Sequence, residues 1–240
     1  MSGPASPGSA ARAAALYDPA YARRYREHDD ELQQGGPYRL LAEWLGAVCA
    51  QFAPPIDVLD LGCGTARYFC ALRGVRLLTG IDASPAMLAE ARHPYREDRI
   101  TAQRIALVEG DLATSVFAPA QFDLVYSIGV LAEHAPLDAE VIARVSRWLK
   151  PRGRFAFTTV HPDSPSIPQT LKRRLGRFAA AHAPAAVSRT VRPRLLAGGM
   201  YADEQHIMEL TRGHFDLEEL RRFESEAHLH CLCVARKRPA

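Results

Sequence analysis

Residues 56–67 read Ile-Asp-Val-Leu-Asp-Leu-Gly-Cys-Gly-Thr-Ala-Arg, and this stretch decides the fold. An apolar run over 56–61 stops abruptly at a pair of glycines, which predicts a strand that gives way to a tight turn. Gly62 and Gly64 let the chain reverse there and let a ligand lie against main-chain N–H groups, with a following helix presenting its positive N-terminus. Such a loop binds something small and polar. A dinucleotide loop would need G-x-G-x-x-G, and Arg67 stands where the third glycine belongs.

Downstream the unit repeats. VRLLTGIDAS (75–84) precedes PAMLAEARH, RIALVEGD covers 104–111, FDLVYSIGV (122–130) precedes LDAEVIARVSRWLK, and GRFAFTTV (153–160) ends at His161-Pro162. The predicted strands lie near 56–61, 75–81, 105–109, 122–127 and 153–159. Strands that are apolar on both faces and alternate with helical segments require a mainly parallel sheet covered on both sides.

Upstream, residues 1–12 are Gly, Pro, Ser and Ala without apolar periodicity and are expected to form a disordered arm. Tyr17, Tyr21 and Tyr25 then recur at i, i+4, i+8 in a predicted helix over 13–28. A first core helix follows within 13–50, carrying Leu40, Leu41, Trp44, Leu45 and Val48 up to Pro54-Pro55. After the strand–helix core (51–160), the alternation stops over 161–202, where proline recurs. A closing helix and a hairpin of FDLEELRRFES and AHLHCLCVARK complete 203–240. The expected organisation is one domain over 13–240.

Composition bounds the class. With 240 residues, 48% hydrophobic and 24% charged, the chain is globular and excludes collagen-like or coiled-coil assemblies. No run is long enough to span a bilayer and MSGPASPGSA lacks the blocks of a signal peptide, so a cytoplasmic protein without a transmembrane segment is expected. Five cysteines without C-x-x-C spacing read as free thiols in a reducing compartment. In H-L-H-C-L-C (228–233), His228 and His230 face opposite to Cys231 and Cys233 on a strand, so no tetrahedral metal site is predicted. The net charge of +3 gives no global argument for nucleic acid.

Two acids extend the glycine loop. Asp82 ends the second strand, about 20 residues beyond the loop, where a carboxylate can take two ribose hydroxyls. Asp111 ends the third, in EGDL, where an acid can accept a hydrogen bond from an exocyclic amine. Taken with VLDLGCGTA, GIDASPAML and FDLVYSIGVLAEH in this order, the chain resembles the class I S-adenosylmethionine-dependent methyltransferases over roughly 13–160. That resemblance implies an α/β, Rossmann-like, seven-stranded, mainly parallel sheet with an antiparallel last strand and helices on both faces. It implies S-adenosylmethionine as cofactor, with Gly62, Cys63 and Gly64 under the methionine part and Asp60 orienting its amino end. Asp82 would then hold the ribose hydroxyls, Asp111 with the Leu112 backbone would read the adenine, and Ala83, Met87 and Ser127 are further cofactor-binding candidates. Tyr17 and Tyr21 would belong to a lid over the cofactor's carboxylate. The family usually has glycine where Ala66 stands, a departure that bears on loop geometry.

For the acceptor, His134 (beside Glu133) and His161 (beside Asp163) fall at carboxyl ends of strands and are the candidate catalytic residues. The segment from Ser164 to Ala202 carries seven cations (Lys172, Arg173, Arg174, Arg177, Arg189, Arg192, Arg194) and no acid. In the family this region commonly builds the acceptor pocket, so a small-molecule acceptor is expected, an anionic one being favoured by these charges. RNA is the alternative acceptor, weakened because only Phe178 and Tyr201 could stack bases, and a cofactor-binding protein without turnover is the reading from a different class. Sequence does not define the oligomeric state.

Overall fold

The computed structural model describes residues 17–32, 35–165, 167, 201–225 and 228–239. In chain order the strands are β1 (Ile56–Leu61), β2 (Val75–Asp82), β3 (Arg104–Glu109), β4 (Phe122–Ser127), β5 (Leu149–Val160), β6 (Phe215–Glu224) and β7 (Leu229–Lys237). They form one sheet in the order β3-β2-β1-β4-β5-β7-β6. The first five pair in parallel, and β7 runs antiparallel to both β5 and β6. The expected seven-stranded sheet is therefore present, with the antiparallel strand last in sequence and inserted before the edge.

Both faces are covered, which explains why β1 is buried at every residue. On one face Leu59, Leu61, Val125 and Phe157 pack against Ile142 and Val145 of helix α4 (Ala139–Trp148) and Ile207 of α5 (Glu204–Thr211). On the other, Val58, Leu78 and Leu124 meet Trp44, Leu45 and Val48 of α2 (Gly36–Cys49) and Leu88 of α3 (Pro85–Ala91). Serine and aspartate start these helices as their small acceptor side chains suit: Ser84 caps α3, Asp138 caps α4 and Asp203 caps α5, each accepting a backbone N–H from the first turn. The strand order reverses between β1 and β4, and this switch point opens a crevice beyond their carboxyl ends.

Three expectations are corrected. Of the predicted helix over 13–28, residues 13–16 lie outside the described residues, Tyr17 and Asp18 are not helical, and helix α1 (Pro19–Leu32) starts where Asp18 accepts the Tyr21 N–H at 2.7 Å and Pro19 takes the first helical position. Tyr17 precedes the helix, although its ring still meets Tyr21 edge-on with centroids 5.1 Å apart. The segment after the glycine loop is no α-helix: it forms turns and a short 3-10 piece over Phe69–Ala71. Gly62, Gly64 and Ala66 have φ of 79°, 52° and 61°, and three left-handed residues in five break a right-handed helix at its start. Lastly, β5 starts at Leu149 instead of 153, directly from α4, with a register irregularity against β4 between Phe122 and Leu124 and a left-handed Arg152. The arm over 1–12 and most of the basic segment, including all seven of its cations, lie outside the described residues.

Candidate functional site

The crevice is a cavity of about 470 Å³ above β1, β2, β4 and β5, within the size range of small-molecule sites. Its floor is the glycine loop. Gly62 and Cys63 donate their N–H groups to the Ile81 carbonyl at 2.8 and 2.9 Å, which ties the loop to the end of β2. Gly62 admits no side chain, since a Cβ there would stand 2.5 Å from Val130, whereas a Cβ on Gly64 would meet nothing within 4 Å and would project into open space.

Asp82 lines the cavity at the end of β2. Its Oδ2 accepts the Gly64 N–H at 2.8 Å and its Oδ1 the Ser84 N–H at 2.9 Å. A carboxylate offers about four acceptor positions, so acceptor capacity remains for a ligand hydroxyl. Burial raises the Asp82 pKa and these backbone donors oppose it. Asp60 sits deeper; burial pushes its carboxyl up to about 8, against the opposing Tyr126 hydroxyl and with the neighbouring Asp82 charge adding to the rise. Ala83 and Met87 form the wall beyond Asp82, and Asp111 and Leu112 the wall beyond β3. Asp111 Oδ1 accepts the Ala113 N–H at 2.8 Å.

Helix α1 closes over the floor. Tyr17, Tyr21 and Tyr25 all line the cavity. A fully buried Asp29 binds both Arg67 and the Thr65 hydroxyl, and the Arg67 guanidinium stacks 4.6 Å from the Tyr25 ring centroid. The helix is thus fastened to the glycine loop by a buried ion pair. Arg67 also lines the cavity, with its Nε buried and unbonded among the described residues. In the sequence Arg67 stands only where a third glycine would be. Its i+38 relation to Asp29 carries no local sequence signal.

Two predicted site residues fall elsewhere. Ser127 is buried beneath the cavity, its hydroxyl spent on the Leu61 carbonyl at 2.8 Å, and the next residues, Ile128 and Gly129, reach the wall instead. His161 also misses the cavity. Alternation along β5 sends Thr158 to the wall and Thr159 to the α5 side, where its hydroxyl meets the Ala202 carbonyl at 3.2 Å. On that side His161 is 2% exposed, its Nδ1 accepts the Asp163 N–H at 3.0 Å, and its Nε2 lies 3.3 Å from Glu204. Glu204 is in turn held by Arg222 and kept down at about pKa 2.

His161, Glu204 and Cys231 bring potential ligand atoms within 4.8 Å of one another. With Nδ1 accepting a backbone N–H, the imidazole proton sits on Nε2, the atom that faces Glu204. Ligation through Nε2 would need that proton on Nδ1, where the Asp163 N–H already points, so the cluster reads as a buried His–Glu–Arg chain.

His134 does line the cavity, with Glu133 beside it, Nε2 to Oε1 3.7 Å. Both project from a tight turn in which the Val130 carbonyl accepts N–H groups from Glu133, His134 and Ala135. Burial lowers the His134 pKa, with Asp82 opposing, and burial alone raises Glu133 to about 7. His230, on the last strand, reaches the same wall opposite Val160, and burial holds it down at about 4. Its place depends on β7 inserting next to β5, which local pattern does not encode.

Comparison with known proteins agrees with this geometry. Residues 58–153 match the methyltransferase domain family. The chain is 37% identical over 106 residues to the ubiquinone biosynthesis O-methyltransferase of Pseudomonas syringae, covering 43% of this chain and 44% of that one. It is 34% identical over 146 residues to the malonyl-[acyl-carrier protein] O-methyltransferase of Enterobacter lignolyticus, covering 60% and 51%. The chain therefore spans about half the length of the curated relatives it matches. Among solved structures, magnesium protoporphyrin IX methyltransferase from Synechocystis with bound S-adenosylhomocysteine superposes with a TM-score of 0.63 at 17% identity, over 96% of this chain and 100% of that one.

Proposed function

The chain belongs to the class I S-adenosylmethionine-dependent methyltransferases, and from that premise we propose that it transfers a methyl group from S-adenosylmethionine to a small-molecule acceptor. The carrying observation is the geometry at Asp82: a strand-end carboxylate held by Gly64 and Ser84 N–H groups with acceptor positions left over, beside a glycine whose missing Cβ leaves open space. When bound, the cofactor supplies a methyl group on a positively charged sulfur.

Asp82 would hold the ribose hydroxyls, Asp111 and Leu112 the adenine, and Gly62 to Gly64 would lie under the methionine part. Asp60 beneath the loop would orient the amino end. Arg67 suits the carboxylate, because it lines the cavity and its charge is fixed. Tyr17 and Tyr21 would close the site and exclude water. Alignment of acceptor and methyl group in such a closed site can supply about 7–11 kcal/mol of the barrier.

The acceptor space lies toward Tyr17, Glu133, His134, Thr158 and His230. An anionic acceptor is supported by the seven cations between Ser164 and Ala202, and a cytoplasmic setting by five free cysteines. No helix among the described residues is long and apolar enough to cross a membrane. The testing experiment incubates the chain with methyl-labelled S-adenosylmethionine and fractionated small-molecule extract. Label appearing in a small molecule together with S-adenosylhomocysteine supports the reading; cofactor that binds without turnover would favour a binding protein.

A further inference from the structure

We propose that Glu133 is the proton acceptor of this site and that the group methylated is a weakly acidic hydroxyl of the phenol or enol class. The inference rests on the methyltransferase reading above and deepens it. Among the described residues four carboxylates line the cavity; besides Glu133, two are engaged by backbone N–H groups and one is buried beneath the floor. Asp60 is buried below the loop facing Tyr126, Asp82 takes the Gly64 and Ser84 N–H groups, and Asp111 takes that of Ala113. The Glu133 carboxylate accepts no hydrogen bond from the described residues; its nearest partner is His134 Nε2 at 3.7 Å. A largely buried carboxyl without a donor is unfavourable unless a ligand provides one. The turn built on the Val130 carbonyl, with Ala132 at φ 58°, fixes it toward the cavity.

The groups facing Glu133 are His134 on its own turn, Tyr17 and Tyr25 from the α1 side, Asp82 across the floor and His230 from β7. Arg67, the one cation on the described wall, is held by Asp29. Among the described residues nothing there stabilises the ionised carboxylate, which agrees with its rise to about 7, where a carboxyl is matched to taking a proton at neutral pH. The two histidines are held below their ordinary range by burial and are weaker bases.

The chemistry selects the acceptor. A thiolate needs no base, and a carboxylate beside an amine favours the ammonium form, which has no lone pair to give. A phenol, at about pKa 10, is a small step above such a base, whereas an alkyl alcohol is too far. The aromatic wall of Tyr17, Tyr21 and His134, with edge-on contacts of 5.1 and 5.8 Å, also suits a planar ring. In the step, Glu133 takes the hydroxyl proton as the oxygen's electron pair forms the bond to the methyl carbon. The sulfur–carbon bond breaks, its pair stays on sulfur and the sulfonium charge is neutralised.

The test uses the whole chain, phenol and 4-nitrophenol as probes, and the variants Glu133→Gln and Glu133→Asp. Glu133→Gln should lower kcat on phenol by about 10²–10⁴ at neutral pH, the usual range for a general base. It should spare 4-nitrophenol, which ionises near neutrality, and Glu133→Asp should be intermediate. Calorimetric affinities for S-adenosylmethionine and S-adenosylhomocysteine should both stay within about twofold, since neither contact is lost. Carbon-13 NMR of glutamate carboxyls in the cofactor-free wild type should show Glu133 titrating near 7, which keeps the test open even if a variant fails to fold. Equal losses on both phenols, a Glu133 titrating in the ordinary range, or no methylation of either phenol by the wild type would overturn the proposal. So would weakened binding of the sulfonium but not of the thioether with kcat unchanged, because Glu133 would then be only a countercharge. Failure of cofactor binding in the wild type would instead defeat the methyltransferase reading.

Discussion

Replacing Gly62 by alanine should damage the fold through one identifiable clash. The new Cβ would lie 2.5 and 2.8 Å from the two methyl carbons of Val130 and 3.2 Å from its Cβ, at a backbone φ of +79°. The left-handed conformation costs an L-residue about 1–2 kcal/mol, and overpacking costs about 1–3 kcal/mol more, so the variant should lose about 2–5 kcal/mol. Val130 cannot retreat freely, because its carbonyl organises the turn that carries Glu133 and His134. Trimming it in Gly62→Ala/Val130→Ala removes both clashing methyls and should restore the overpacking share, leaving the backbone share. Urea unfolding of the four proteins of this cycle, compared at constant m, should give a favourable coupling of about 1–3 kcal/mol. Additivity within about 0.5 kcal/mol would refute the contact as the cause.

Gly64 should behave in the opposite way. With nothing within 4 Å of its Cβ position, Gly64→Ala should cost only about 1–2 kcal/mol of stability for its left-handed backbone. It should nevertheless weaken cofactor binding at least tenfold, measured by calorimetry, because the methyl enters the cavity. Asp29→Ala leaves Arg67 buried without its partner, a loss of about 3–5 kcal/mol for a broken buried pair. That loss should appear first as α1 undocking, read by hydrogen exchange over 19–29 and by weaker cofactor affinity. Glu133, raised from 4.5 to about 7, binds more protons in the native than in the unfolded chain between those values, so stability falls as pH rises through that window. Relative to wild type, Glu133→Gln should therefore gain up to about 3 kcal/mol between pH 4 and pH 8, at about 1.4 kcal/mol per pH unit; a pH-independent difference in denaturation midpoints would contradict the burial argument.

The sheet was legible because its signals are local. Apolar runs ending in Gly62, Asp82 and Asp111 fix strand ends, and strand ends in a parallel sheet are where a crevice forms. Residues read from those ends, from Asp60 to Leu112, reach the cavity wall. What escaped depends on long-range pairing or on parity. Asp29 and Arg67 meet only because α1 folds back over the loop. His230 arrives only because β7 inserts beside β5. His161 follows the alternation of β5 to the wrong face, and one further residue would have reversed that. Ser127 ends a strand as Asp60 and Asp82 nearly do, but its hydroxyl is consumed by Leu61. The absent helix after the loop was not legible, because alanine is a strong helix former and only the structure shows Ala66 at φ 61°, a conformation that glycine adopts freely.

The central claim is that Asp82 and the glycine loop form an S-adenosylmethionine site, and titration calorimetry of the wild type against Asp82→Ala tests it most directly. The wild type should bind the cofactor with one site per chain. The variant, still folded by circular dichroism, should bind more weakly by about 1.5–3 kcal/mol, the worth of hydrogen bonds to a charged group. No heat of binding in the folded wild type would contradict the account, and equal affinity in the two proteins would remove Asp82 from the ligand.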